Sequence, residues 1–97
     1  MQNSKHNPLG SYIRDKREAA GISLRAVAGS AGISVTFLSE LELGTRSCRP
    51  HTLTKIARGM TANGIPTTQK QLVALFEADR IEKLKEELAE LERRNVS

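Results

Sequence analysis

The sequence has few of the residues from which large cores, disulfide frameworks and metal sites are built. Its 97 residues include no tryptophan, one tyrosine and two phenylalanines, so any core must be mainly aliphatic. Cys48 is the single cysteine, which excludes an intramolecular disulfide and is typical of the reducing cytoplasm. Flanking arginines allow a redox interpretation of this thiol, but an ordinary loop cysteine is the favoured one. His6 and His51 lack companions at ligand spacing, so we expect no metal site.

The sequence also lacks the motifs on which enzymes and membrane proteins depend. It contains no nucleophile–base pair and no glycine-rich phosphate loop, so we expect neither an enzyme nor a bound cofactor. No segment approaches the roughly 20 apolar residues of a membrane span, and the polar residues 1–10 do not resemble a secretion signal. We therefore expect a cytoplasmic protein with no membrane partner.

What the sequence does have is an excess of positive charge, concentrated in its first two thirds. The formal net charge is +4. Residues 1–66 carry nine Lys and Arg against four Asp and Glu, whereas residues 67–97 carry six against seven. A basic region of this kind favours a polyanionic partner such as DNA, RNA or an anionic membrane surface.

The spacing of apolar and capping residues predicts an all-α fold, a compact bundle of four to five helices. Apolar residues at helical intervals, bounded by capping serines and by glycines, predict helices over about 9–20, 24–31 and 35–43. A fourth helix should begin at Pro50 and carry its apolar stripe to Met60. After a turn-rich linker at 61–66, a long amphipathic helix should run to about Arg94, capped by Thr67 or Thr68. We thus predict a flexible arm at 1–8, a domain at 9–66 and a C-terminal helix within 67–97.

Two of these helices make a helix-turn-helix pattern between Ser23 and Leu43. Gly32 lies where the chain must bend, in a backbone conformation that a side chain would resist. The apolar positions can all face one core: Val27, Ala28, Ile33, Leu38 and Leu41. The outward face of the second helix is then formed by Val35, Thr36, Ser39 and Glu40.

An ordered set of short matches extends this pattern along the chain. It comprises Gly21-Ile22-Ser23, Val27-Ala28, Gly32-Ile33-Ser34, Leu38, Leu41-Glu42, Gly44, Pro50 and Ile56-Ala57. In this order the residues resemble the phage-repressor-like, Cro/XRE-type helix-turn-helix family of DNA-binding proteins, over about Leu9–Met60. The resemblance implies a DNA-binding domain whose second helix enters the major groove.

The resemblance also implies roles for individual residues. Those expected to face DNA bases are Val35, Thr36, Ser39 and Glu40. Those expected to face phosphates are Arg25, Arg46, Arg49, His51 and Lys55. Arg25 is assigned to a phosphate because Leu24 replaces a glutamine that often has this role in the family, and because a cation is poorly placed near a helix N-terminus without an anion. Arg17 and Glu42 match a family pair that forms an internal ion bridge.

The C-terminal helix carries a second apolar stripe, and its charges indicate how it pairs. With Ile81 and Leu88 at a and Leu84 and Leu91 at d, two heptads are present. A parallel in-register pair would oppose like charges, Arg80 to Lys85 and Glu87 to Glu92. A shifted antiparallel pair can instead place Lys85 near Glu92 and Glu87 near Arg94. The alternatives left open are a helix that folds onto its own core or onto a partner. The predicted dimer interface is Leu72, Phe76, Ile81, Leu84, Leu88 and Leu91.

Together these features favour a homodimeric, sequence-specific regulator of transcription that binds double-stranded DNA. It is expected to act as a repressor on an inverted-repeat operator, with one recognition helix in each of two successive major grooves. The alternative is an antitoxin-like or adaptor protein whose C-terminal helix binds a protein partner.

Overall fold

The computed structural model describes residues 7–96, and in this range the chain forms five helices and no strand. They are α1 (Pro8–Ala19), α2 (Leu24–Ala31), α3 (Val35–Leu43), α4 (Pro50–Ala62) and α5 (Gln69–Val96). The predicted all-α fold is confirmed. Within the described range no single helix has the length and hydropathy of a membrane span, and α2 and α3 reach that composition only when counted together across a bend.

The start of α1 differs from the prediction, because Asn7 and Pro8 belong to the folded domain and not to an arm. The Asn7 Oδ1 accepts a hydrogen bond from the Gly10 N–H at 3.3 Å, and its Nδ2 donates to the Glu42 carbonyl oxygen at 2.8 Å. Asn7 therefore caps α1 and ties it to the end of α3, which leaves it 9% exposed. The remainder of the predicted arm, residues 1–6, lies outside the described residues.

The predicted linker at 61–66 is shorter in the structure, because α4 continues to Ala62. Asn63 follows it, and its Nδ2 donates to the carbonyl oxygens of Gly59 and Ala26 and to the Ser30 Oγ. This single amide fastens the end of α4 to α2. Ahead of α5, Thr68 and Gln71 each bond the other's backbone N–H, a capping box that fixes where the last helix begins.

The core is aliphatic, as the composition requires, and lies between all five helices. Its wholly buried large side chains are Ile13, Val27, Leu38, Leu53, Ile56, Met60 and Leu72. α2 packs most extensively on α4, and α3 packs on α1 and α2. The α2–α4 approach is close because Gly59 has no side chain: a Cβ there would lie 2.8 Å from the Val27 carbonyl oxygen.

α5 has two parts that differ in burial. Its first turns pack against α1 and α4, with Leu72 fully buried and Phe76 partly buried against the core. This corrects the predicted dimer interface: Leu72 faces the core of its own chain and is not exposed to a partner. Further along, the large apolar side chains are more than half exposed, namely Ile81, Leu84, Leu88 and Leu91. The molecule measures 53 × 26 × 20 Å, and a helix of 28 residues spans about 42 Å of that length.

Candidate nucleic-acid interface

The α2–turn–α3 unit has the geometry of a helix-turn-helix. The two helices are bent by 113° relative to each other, within the range of about 90–120° for this motif. Each helix follows a serine that caps its N-terminus. The Ser23 Oγ accepts a hydrogen bond from the Ala26 N–H and the Ser34 Oγ accepts one from the Phe37 N–H, both at 3.0 Å. Gly32, at φ 75°, ends α2 in the left-handed conformation that allows the sharp turn.

A buried ion pair holds α3 against α1. The Arg17 Nε and Nη2 donate to the two carboxylate oxygens of Glu42 at 2.9 and 3.0 Å, and the Arg17 Nη1 donates to the Ile22 carbonyl oxygen. The two side chains are 11% and 4% exposed. The bonds to Glu42 raise the pKa of Arg17 above its usual range, so the guanidinium stays charged. The structure thus brings together the two residues that the resemblance had paired.

The four residues assigned to base contacts do not share one environment. Thr36 is exposed, whereas Val35 is half-buried and packs against the core. Ser39 is also half-buried and lines a shallow groove between α1 and the start of α2. At helical spacing from Thr36 and Glu40 lies Leu43, 59% exposed, which the sequence analysis did not assign to the site.

Glu40 has an intramolecular partner. The Arg46 Nε donates to the Glu40 Oε1 at 2.7 Å, and the Arg46 guanidinium carbon lies 5.3 Å from the centre of the Phe37 ring. A residue expected to read a base and a residue expected to bind a phosphate therefore form one cluster with an aromatic ring. Phe37 was missed by the sequence analysis because an aromatic residue on a helix usually indicates core packing.

The other residues assigned to phosphates are exposed and form no ion pair within the described chain. They are Arg25, Arg49, His51 and Lys55. Arg49 occupies the N-cap of α4 without a side-chain cap bond. Arg58, another exposed cation of α4, was not assigned by the sequence analysis, although its spacing from Lys55 places both on one side of the helix.

Comparison with known proteins decides the family. A profile of the helix-turn-helix domain matches residues 8–67, from the first residue of α1 to the approach to α5. The chain belongs to the helix-turn-helix domain family. The resemblance inferred from the sequence is thereby confirmed.

Relatives of this helix-turn-helix domain include named regulators. An uncharacterized HTH-type transcriptional regulator of Mycobacterium tuberculosis, found in two strains, is 39% identical over 51 residues, which is 53% of this chain and 36% of the relative. The match thus spans about a third of the relatives' length. The crystal structure of the clp gene regulator ClgR from Corynebacterium glutamicum superposes with a TM-score of 0.58 at 22% identity, covering 89% of this chain and 87% of that one. This likeness shows a shared fold.

Cys48, in the loop of the helix-turn-helix domain before α4, has a thiol of reduced acidity. Its side chain is half-buried, and burial raises the pKa of the thiol above its ordinary value. The nearby arginines do not reverse this effect. The environment therefore favours an unreactive loop cysteine. Among residues 7–96 no three potential ligands come together to hold a metal ion.

Proposed function

We propose that the helix-turn-helix domain binds double-stranded DNA with α3 in the major groove, and that the protein regulates transcription. The observation that carries this proposal is the free outer side of α3. Its inner side packs on α1 and α2, whereas Thr36 is exposed in the first turn after its capped N-terminus. Side chains at this end of a recognition helix meet base edges.

The charges around α3 support a DNA partner. Residues 20–66 hold two acids, Glu40 and Glu42, and each is neutralised by an arginine. Three arginine and lysine side chains of this segment that we assign to phosphates stay unpaired and exposed within the described chain: Arg25, Arg49 and Lys55. The surface potential beside α3 is therefore positive, which attracts the phosphate backbone and fixes the register of the domain along the duplex.

The proposed regulator acts as a homodimer and as a repressor. Two copies related by a two-fold axis place two α3 helices in successive major grooves, roughly 34 Å apart, and so recognise an inverted repeat. The relatives from Mycobacterium tuberculosis are named as transcriptional regulators. Repression follows when such an inverted repeat overlaps a promoter, because the bound dimer occupies the site that polymerase needs.

The exposed stripe of α5 is the proposed dimer interface. Four large apolar side chains at helical spacing are each 51–58% exposed: Ile81, Leu84, Leu88 and Leu91. Fully burying an exposed apolar side chain of this size is worth about 1.5–3 kcal/mol, and roughly half of that is left for each of these half-exposed side chains to gain against a partner helix. Phe76, partly buried against the core, lies at the edge of this interface rather than at its centre.

Charge complementarity favours a second copy in antiparallel orientation. Parallel in-register packing would place Arg80 beside Lys85 and Glu87 beside Glu92, and both pairings repel. In a shifted antiparallel pair Lys85 of one copy lies near Glu92 of the other, and the contact is repeated by symmetry. The parallel pairings would also each occur twice by symmetry, so the antiparallel pair has two attractive contacts where the parallel pair has four repulsive ones.

The oligomeric state of the purified protein tests whether α5 pairs with a second copy of the chain or with a different protein. Light scattering should give twice the mass of the chain for the wild type and one chain mass for Leu88→Lys. Lys83→Ala, an exposed change outside the stripe, should leave the dimer unaffected. A monomeric wild type would favour the alternative function, an antitoxin-like or adaptor protein whose α5 binds another protein.

DNA binding is tested by selecting bound duplexes from a random pool and then titrating the best sequence by fluorescence anisotropy. We expect an inverted repeat to be enriched. Arg25→Ala and Arg49→Ala should each weaken binding to every sequence and reduce the slope of log K against log salt concentration by about 0.9. Lys83→Ala, on α5, is the matched control and should change neither quantity. Equal affinity for selected and random DNA at the same salt concentration would disprove the function.

A further inference from the structure

We propose that Arg46, held in place by Glu40 and Phe37, recognises a guanine base, and that Glu40 acts as its positioning residue and not as a base reader. The inference rests on the proposed DNA-binding function and deepens it. It reassigns two residues: the resemblance had implied a base contact for Glu40 and a phosphate contact for Arg46.

Two contacts hold the Arg46 side chain, and bonds of the preceding Thr45 fix the direction of the loop. The backbone N–H and the Oγ1 of Thr45 both donate to the Glu40 carbonyl oxygen, at 3.0 and 3.2 Å, so the chain leaves α3 in a defined direction. The Arg46 Nε then donates to the Glu40 Oε1 at 2.7 Å. The guanidinium also lies over the ring of Phe37, one helical turn before Glu40. The loop residue is thereby folded back along the side of α3.

These contacts leave the ligand-binding end of the guanidinium available. A guanidinium has five N–H donors in one plane, and Glu40 uses the donor on Nε. The side chain of Arg46 is 53% exposed. The two terminal nitrogens can each donate one bond to the O6 and N7 acceptors of guanine, which is the commonest specific contact between a protein and a base.

The electrostatics explain why Glu40 acts through Arg46. A free carboxylate on the outer side of α3 would face the negative potential of DNA, whereas the ion pair cancels this charge. An arginine that is already oriented also loses less conformational freedom when it binds. Three other exposed cations, Arg25, Arg49 and Lys55, have no such support within the described chain, which suits contacts to phosphates.

The test compares operators that differ at one base pair. Selection with the wild-type protein should enrich a guanine at one position of each half-site, and replacing it by adenine should weaken binding roughly tenfold. The Arg46→Ala variant should bind the two operators equally. The Arg46→Lys variant should regain part of the affinity but little of the preference for guanine, because lysine keeps the charge but not the planar pair of donors. If Arg46→Ala instead weakens both operators alike and lowers the salt slope by about 0.9, Arg46 binds a phosphate and the inference is wrong.

The role of Glu40 is tested in two backgrounds. In the wild type, Glu40→Ala should reduce the guanine preference, and Glu40→Gln, which keeps an oxygen for the Arg46 Nε, should retain more of it. In the Arg46→Ala background, Glu40→Ala should cause no further change in preference. A further change there would mean that Glu40 reads a base itself. If the wild type enriches no sequence, the DNA-binding function fails and this inference with it; an enriched motif indifferent to Arg46 overturns this inference alone.

Discussion

Replacing Glu42 with glutamine tests how strongly the helix-turn-helix domain depends on its buried ion pair. The substitution keeps the shape of the side chain and one acceptor oxygen, but it removes the charge that faces Arg17. Arg17 then keeps one neutral acceptor on residue 42, the Ile22 carbonyl oxygen and Glu18, whose carboxylate is 3.9 Å away and more than half exposed. None of these contacts replaces the charged pair of bonds at 2.9 and 3.0 Å.

The expected loss is large compared with the stability of a small domain. Removing one partner of a buried pair costs about 3–5 kcal/mol, and the lower end applies here because the Arg17 side chain keeps 11% exposure. A loss of about 3 kcal/mol compares with a total free energy of unfolding of about 5–15 kcal/mol. Because the pKa of Arg17 is raised, its charge contributes fully to the stability of the fold at every pH below the ordinary arginine value. This contribution is lost only as pH rises through the folded-state pKa. The arginine side of the pair should therefore contribute equally from about pH 6 to about pH 8.

Urea unfolding followed by circular dichroism measures the effect, with Glu90→Gln as the matched control. Glu90 pairs with Arg93 on the surface of α5, where both side chains are more than half exposed, and its loss should be worth no more than about 0.5 kcal/mol. A double variant, Arg17→Met with Glu42→Leu, should be less destabilised than the sum of the single changes, since no charge stays buried alone. A loss below about 1 kcal/mol for Glu42→Gln, or strict additivity, would refute the reasoning.

Three further tests concern Gly59, Asn7 and Cys48. Gly59→Ala should lower the free energy of unfolding by about 1–3 kcal/mol, because the new methyl group would lie 2.8 Å from an α2 carbonyl oxygen. Gly29→Ala, with open space around it, should raise the free energy of unfolding by roughly 0.5–1 kcal/mol. Thermal unfolding compares the two variants. Asn7→Ala should cost about 1–2 kcal/mol in the same assay, and Asn7→Asp, which keeps the cap but loses the donor to Glu42, should cost part of that. Cys48 should react with iodoacetamide more slowly than the same thiol in the unfolded protein at equal pH, because burial raises its pKa; equal rates would contradict this.

The helix-turn-helix was predictable from the sequence because its signals are local. Serine caps, a glycine that ends each helix, and apolar residues at helical spacing place α2 and α3 at the residues where the structure has them. The start of α1 was equally readable. Asn7 followed by Pro8 is a capping residue before a first-turn proline, and this signal was overlooked in favour of an arm.

Other features depend on which parts of the chain meet in space. The contact of Arg46 with Glu40 and Phe37 arises because the loop after α3 turns back, and the spacing of loop residues does not specify this direction. Leu72 lies nine residues before Ile81, about 180° around the helix, so its spacing already sets it apart from the exposed stripe, and the packing of α1 and α4 on the first turns of α5 buries it. The sequence-based interface nevertheless included this residue, which belongs to the core.

The two helices of the helix-turn-helix are fastened from different sides. α3 is tied to α1 through Arg17 and Asn7, while α2 is tied to α4 through Asn63 and the close approach at Gly59. The angle between α2 and α3 is therefore maintained by the whole domain, and not by the short turn at Gly32 alone. A recognition helix supported in this way is already ordered before it meets a ligand. Association should then carry little entropic penalty from the protein backbone, and the heat-capacity change of binding should match the apolar area of a rigid-body contact.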